Sequence, residues 1–208
     1  MPHGVVIELT GISKQYGQRQ LFAGITERIQ SGECWGVTGP NGSGKSTLLK
    51  IMAGIIRPSL GTVRVCSDSR ELPVSERSAC FGIVSPEIIF YRMLSGYENL
   101  EFITRAGGVD LSGRQLLDCL ERVGLAQRRH DKIGVYSTGM LQRLKFAVLI
   151  AMRPLVWLLD EPSSNLDSGG RILVADLIKE AQSQQIAVVI ATNEAEEVNR
   201  AQKTIALA

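Results

Sequence analysis

Two rhythms of apolar and polar residues run along this 208-residue chain. Short apolar runs bounded by turn residues predict strands at 5–10, 21–29, 34–38, 62–65, 80–84, 155–159, 186–191 and 204–207. Apolar residues three and four apart predict a helix at about 45–53, with Leu48, Leu49 and Met52 inward and Gly54 as its stop. A second helix is expected at about 169–184. Strands that alternate with helices build an α/β layer structure around a largely parallel sheet.

Between 87 and 152 helix follows helix. Ser95 and Glu98 form a capping box ahead of Leu100, Phe102 and Ile103, and this helix ends at Gly107-Gly108. A second carries Leu116, Leu120 and Val123 at i, i+4 and i+7 and stops at Gly124; a third starts near Gly139. The expected organisation is one domain, 1–208. Its α/β core comprises 1–86 and 153–208, and a helical insert occupies 87–152.

Composition removes several classes. Hydrophobic residues make up 44 % and charged residues 21 %, which excludes disordered and collagen-like chains. The longest apolar run, 146–152, has seven residues where a membrane span needs about 20. The N-terminus lacks the basic region of a signal peptide. A soluble cytosolic chain is expected, and work at a membrane would need separate spanning subunits. Basic and acidic residues number 23 and 21 with no block of like charge, so no nucleic-acid partner is expected. Cys34, Cys66, Cys80 and Cys119 form no C-x-x-C pair, which favours buried reduced thiols over metal or redox work. Two histidines, His3 and His130, leave no imidazole cluster for zinc.

Three segments carry chemistry. Gly39-Pro40-Asn41-Gly42-Ser43-Gly44-Lys45-Ser46-Thr47 follows an apolar strand and opens a helix, the setting of a phosphate-binding loop. Its glycines let consecutive N–H groups face phosphate oxygens, and the helix start adds partial positive charge. Lys45 supplies a full charge, and Ser46 a hydroxyl for Mg²⁺. Leu155-Val156-Trp157-Leu158-Leu159-Asp160-Glu161 delivers two acids at the end of a buried strand, where α/β sheets bind ligands. Asp160 would hold the metal through water, and Glu161 would orient or deprotonate an attacking water. Tyr136-Ser137-Thr138-Gly139-Met140-Leu141-Gln142-Arg143 opens a further helix with an anion-binding start. One nucleotide has one triphosphate tail, so a second such start implies that two chains share a pocket.

With these residues in order, the chain resembles the nucleotide-binding subunits of ATP-binding cassette (ABC) transporters over essentially its whole length. Ser164-Asn165-Leu166-Asp167 matches the family's loop after the catalytic acid. The resemblance implies a phosphate-loop NTPase core with an N-terminal antiparallel β part and a helical subdomain as the insert. It also implies two ATP molecules sandwiched in a head-to-tail dimer, with the same or a sister cassette as second subunit. Ser137 and Gly139 would then reach the opposite γ-phosphate, Asp167 would lie at the seam, and Tyr16 would stack on adenine.

Two positions depart from the family pattern. Asn193 stands where a histidine usually contacts the γ-phosphate; its amide donates a hydrogen bond but carries no charge. Pro86 or Glu87 stands at the family's glutamine, and of these only Glu87 has a side chain able to touch Mg²⁺ or its waters. Slowed turnover is the expected consequence. Ile88, Ile89, Phe90 and Tyr91 fall where the family receives a helix of the membrane subunit, and core packing of the insert explains the same pattern.

The resemblance therefore implies an ATPase that energises separate transmembrane permease subunits from the cytoplasmic face of the inner membrane. The signature wording and short length look exporter-like, of the haem-exporter type tied to cytochrome c maturation. No C-terminal regulatory domain is expected. Two rivals are an ATP-binding regulatory module with little hydrolysis and a soluble non-transport cassette.

Overall fold

Inward-facing residues set the strand pairing of the computed structural model, which describes residues 4–68 and 70–208. His3 lies outside them. In chain order the elements are β1 (Val5–Tyr16), β2 (Arg19–Gln30), β3 (Cys34–Thr38), α1 (Lys45–Met52), β4 (Leu60–Ser67), β5 (Arg70–Glu71), α2 (Val74–Arg77) and β6 (Phe81–Val84). The helices α3 (Gly96–Ala106), α4 (Gly113–Arg122) and α5 (Thr138–Met152) follow. The chain closes with β7 (Val156–Asp160), α6 (Ser168–Ser183), β8 (Ala187–Ala191), α7 (Ala195–Arg200) and β9 (Lys203–Ala206).

Among the described residues the strands form two sheets. One is antiparallel, in the order β2-β1-β4-β5; the other has the order β6-β7-β8-β3-β9, with β3 parallel to β8 and β9, and β7 parallel to β8. The parallel strands β3, β7 and β8 are buried nearly throughout, as strands covered on both faces must be.

Contacts divide the chain into two units. The first comprises residues up to Ile83, Leu155–Glu161 and Ile178–Ala208; the second comprises Val84–Pro154 and Pro162–Leu177. This differs from the division expected from sequence, because the segment after Glu161 packs with the helical residues. Its ties are specific: Gln142 Nε2 donates to the Pro162 carbonyl at 2.8 Å, and Arg143 pairs with Asp167 at 3.1 Å.

The first unit's core joins Ile7, Leu9 and Ile29 of the antiparallel sheet to Leu48 and Met52 of α1 and to Leu158 and Val189 of the parallel sheet. In the second unit Leu100, Leu116, Leu120 and Phe146 are buried. Phe102, on the same helix as Leu100, is 48 % exposed and stacks edge-on against Tyr91, ring centres 5.0 Å apart. Both capping boxes, Ser95 with Glu98 and Ser112 with Gln115, are formed.

Candidate nucleotide-binding site

In the first unit, β3 runs into the loop 39–44 and α1 begins at Lys45. A Cβ on Gly39 would lie 2.4 Å from the Leu207 carbonyl oxygen, so the chain can pass here only as glycine. Gly44 takes φ +102° at the helix start, a conformation that a Cβ disfavours. No side chain caps α1 and no acid sits in its first turn. The helix therefore presents bare N–H groups and its positive pole to the loop.

Lys45 is buried, and its Nζ donates to the carbonyl oxygens of Gly39 at 2.7 Å and Pro40 at 3.3 Å. A cation is thus held inside the cup. Ser43 Oγ is buried there without a hydrogen-bond partner. An orphaned hydroxyl, an uncapped helix start and a buried ammonium together fit a phosphate chain.

Asp160 closes β7, buried and in register with Ala191 of β8. Glu161 follows at φ +50°, its N–H held by the Ala191 carbonyl at 2.9 Å. A non-glycine residue in this left-handed region carries strain of about 1–3 kcal/mol, and such strain clusters at functional sites. Asn193, after β8, donates from Nδ2 to Asn41 Oδ1 at 2.8 Å, so residues 152 positions apart meet at the loop. Tyr16 ends β1 half-exposed, with Lys14 Nζ 4.7 Å from its ring centre. Its register partner Arg19 donates to the Gly42 carbonyl at 3.1 Å. The sequence reading missed Arg19, because only the hairpin pairing carries it to the loop.

In the second unit, Ser137 caps α5 by accepting from the Met140 N–H at 3.2 Å. A Cβ on Gly139 would approach the Asn165 carbonyl oxygen to 3.1 Å. Tyr136 is buried, donates its hydroxyl proton to the Arg128 carbonyl, and has its phenol pushed up by burial. Asp167 accepts from the Gly170 N–H at 2.8 Å, capping α6; that bond, then Arg143, holds its carboxyl below the usual range. Glu87 is an exposed residue of this unit, whereas Ser46 and Asp160 belong to the first.

The stretch after Glu87 divides. Phe90 is buried, whereas Ile89 is 84 % exposed and Tyr91 and Met93 also face outward. Asn99, fully buried, pins the stretch through both backbone groups of Tyr91 (2.8 and 3.1 Å), a role that sequence did not disclose. Of the cysteines, Cys34, Cys80 and Cys119 are buried and Cys66 is partly so; burial lifts the Cys34 thiol to about 11.

A strand, a glycine loop, an uncapped helix and an acid at the end of another strand of the same sheet define a phosphate-loop nucleotide-binding domain. Comparison with known sequences narrows this: residues 22–164 match the ABC transporter family, and the chain belongs to it. The ABC transporter ATP-binding protein YdbJ of Bacillus subtilis (strain 168) is 34 % identical over 194 residues, covering 93 % of this chain and 63 % of that protein. The cytochrome c biogenesis ATP-binding export protein CcmA of Brucella abortus (strain 2308) is 34 % identical over 191 residues, covering 90 % of this chain and 85 % of that one. Among solved structures, the ATP-binding cassette MJ0796, a dimer in a post-hydrolysis state bound to ADP and Pi, superposes with TM-score 0.83 at 25 % identity, covering 97 % of this chain and 94 % of that one. The chain spans 62–63 % of the first curated relatives it matches.

Proposed function

We propose that this chain binds and hydrolyses ATP as the energising subunit of a membrane transporter. The observation that carries the proposal is the loop 39–47, where Lys45 and the orphaned Ser43 hydroxyl sit buried at an uncapped helix start. Lys45 and the loop N–H groups hold the phosphate chain, and Tyr16 offers its ring to the base. Ser46 and Asp160 hold Mg²⁺, with Glu87 as a further contact; the ion, when bound, offsets phosphate charge. Glu161 orients and deprotonates the attacking water. Asn193, already bonded to Asn41, donates an uncharged hydrogen bond at the γ-phosphate. Ser137 and Gly139 cover the nucleotide of an opposing cassette, of the same or a sister chain, and Asp167 lies at the seam.

Among the described residues no helix is long and apolar enough to cross a membrane. The outward Ile89, Tyr91 and Met93 are the proposed contact for separate permease subunits, which would hold the chain on the cytoplasmic face of the membrane. The likeness to CcmA supports export of the haem-exporter type.

The test compares the purified chain with Glu161→Gln in Mg-ATP. Wild type should turn over, whereas the variant should lose about 10²- to 10⁴-fold in turnover and accumulate an ATP-bound pair on size-exclusion chromatography. Equal, negligible turnover in both would favour a regulatory module, the reading that the uncharged Asn193 favours. Failure to retain ATP at all would end both.

A further inference from the structure

The second unit carries an open cavity of about 380 Å³ beside the apolar stretch, lined by Ile88, Phe90, Arg92, Tyr136, Gln142 and Lys145 among others. Lys145 projects from α5 and is only 8 % exposed. Its Nζ has one hydrogen bond among the described residues, to the Ser85 carbonyl oxygen at 2.8 Å. An ammonium has three N–H donors, so two remain. Gln142, one turn back on the helix, gives its amide N–H to the Pro162 carbonyl, and the Lys145 ammonium makes no hydrogen bond to it.

No residue lining this cavity is acidic, and its second cation, Arg92, forms no ion pair among the described residues. Burial holds the Lys145 ammonium below its usual range, with no neighbouring carboxylate to offset it. A buried unpaired cation is costly, and an aliphatic residue of similar volume in its place is commonly neutral or stabilising. The position therefore needs a reason outside the unit's own packing. Among the residues that line the cavity or adjoin its lining in sequence, Ile89, Met93 and Val135 are exposed apolar side chains.

We propose that this cavity receives a single aspartate or glutamate side chain projecting from an apolar helical segment of the membrane partner, and that Lys145 pairs with it. The proposal rests on the docking reading given above and adds the chemistry of the partner. Exposed apolar residues supply area, and the buried cation in the cavity's lining supplies register and choice. A charge buried on contact penalises a segment with a neutral or basic residue at that place.

The probe is a lactam-stapled 14-residue helix with leucines at i, i+3, i+4 and i+7 and one central glutamate, set beside its glutamine twin. Binding is read by fluorescence anisotropy at pH 7 on the full chain. The glutamate peptide should bind wild type about 10- to 100-fold tighter than the twin. Lys145→Met should remove that preference while leaving the twin's affinity unchanged, and Lys145→Gln provides a second neutral variant should the first not fold. Equal binding of both peptides to wild type, with Tyr91 protected from modification, overturns the acidic-partner proposal and leaves the docking reading standing. Binding of neither peptide overturns both. Inorganic phosphate that displaces the glutamate peptide at low millimolar concentration, and binds wild type but not Lys145→Met, would make the cavity a small-anion site and overturn the proposal.

Discussion

Two helix starts in this chain carry glycine and hydroxyl residues, and they use their polar atoms in opposite ways. At α1 no side chain caps the first turn, Ser43 Oγ has no partner, and Lys45 lies against the carbonyls of its own loop. At α5 Ser137 caps the helix, while Gly139 abuts the Asn165 carbonyl and Asp167 caps α6. The first start is incomplete without an anion. The second is internally satisfied, so its residues hold their shape whether or not a nucleotide is near. The nucleotide-dependent pairing proposed above would use this asymmetry: one surface that changes when it is filled, and one already formed to cover it.

Gly44→Ala attacks the first surface and should have the largest effect. The added Cβ would sit 2.8 Å from Phe22 Cε1 at φ +102°. Backbone strain and overpacking together cost about 2–4 kcal/mol. ATP affinity, measured by equilibrium dialysis, should fall by about two orders of magnitude, because the same shift displaces the loop N–H groups. Retained affinity would mean that the cup does not depend on the loop's geometry. Asn193→His is a milder perturbation in the other direction. An imidazolium at that position adds charge beside Asn41, but Asn193 already donates a hydrogen bond there, so only part of the about 2.7–4 kcal/mol that such a contact is worth in the transition state is left to gain. Steady-state turnover should rise about tenfold. Unchanged or lower turnover would show that the missing imidazole does not limit the reaction.

How far these sites could be read beforehand follows from how local their signals are. The loop 39–47 and the pair Asp160-Glu161 are contiguous, and each residue's chemistry is stated by its neighbours in sequence. β1 was legible only to residue 10. Gly11 at φ +62° interrupts the pairing with β2, and the buried positions change parity from Leu9 to Ile12, which erases the alternation beyond it. The short elements β5, α2 and α7 span two, four and six residues, too few for periodicity to register. Phe102 is apolar by type, yet stands on the exposed side of α3 against Tyr91. Arg19 at Gly42 and Asn193 at Asn41 are contacts made by topology. Sequence gave the polarity of Asn193 but not its neighbour, and nothing at all for Arg19.

The smallest effect sharpens the claim that the second surface stands by itself. Asp167 is 75 % exposed at its side chain, and its carboxyl is held low chiefly by the Gly170 N–H and then by Arg143. A carboxyl whose folded-state pKa lies below its unfolded value of about 3.9 adds stability above that value and loses it as pH falls through the folded-state pKa. Asp167→Asn keeps a capping acceptor but removes the charge. Wild type should therefore melt slightly higher than the variant at neutral pH, by no more than about 2 °C given the exposure. As pH falls through the lowered folded-state pKa the two curves should converge, and added salt should shrink the gap at neutral pH. The measurement is a pair of melting curves across the acid range without nucleotide. A gap that persists unchanged into acid would show that the carboxylate's charge does not help hold the start of α6, and that Asp167 owes its place to something other than the unit's own architecture.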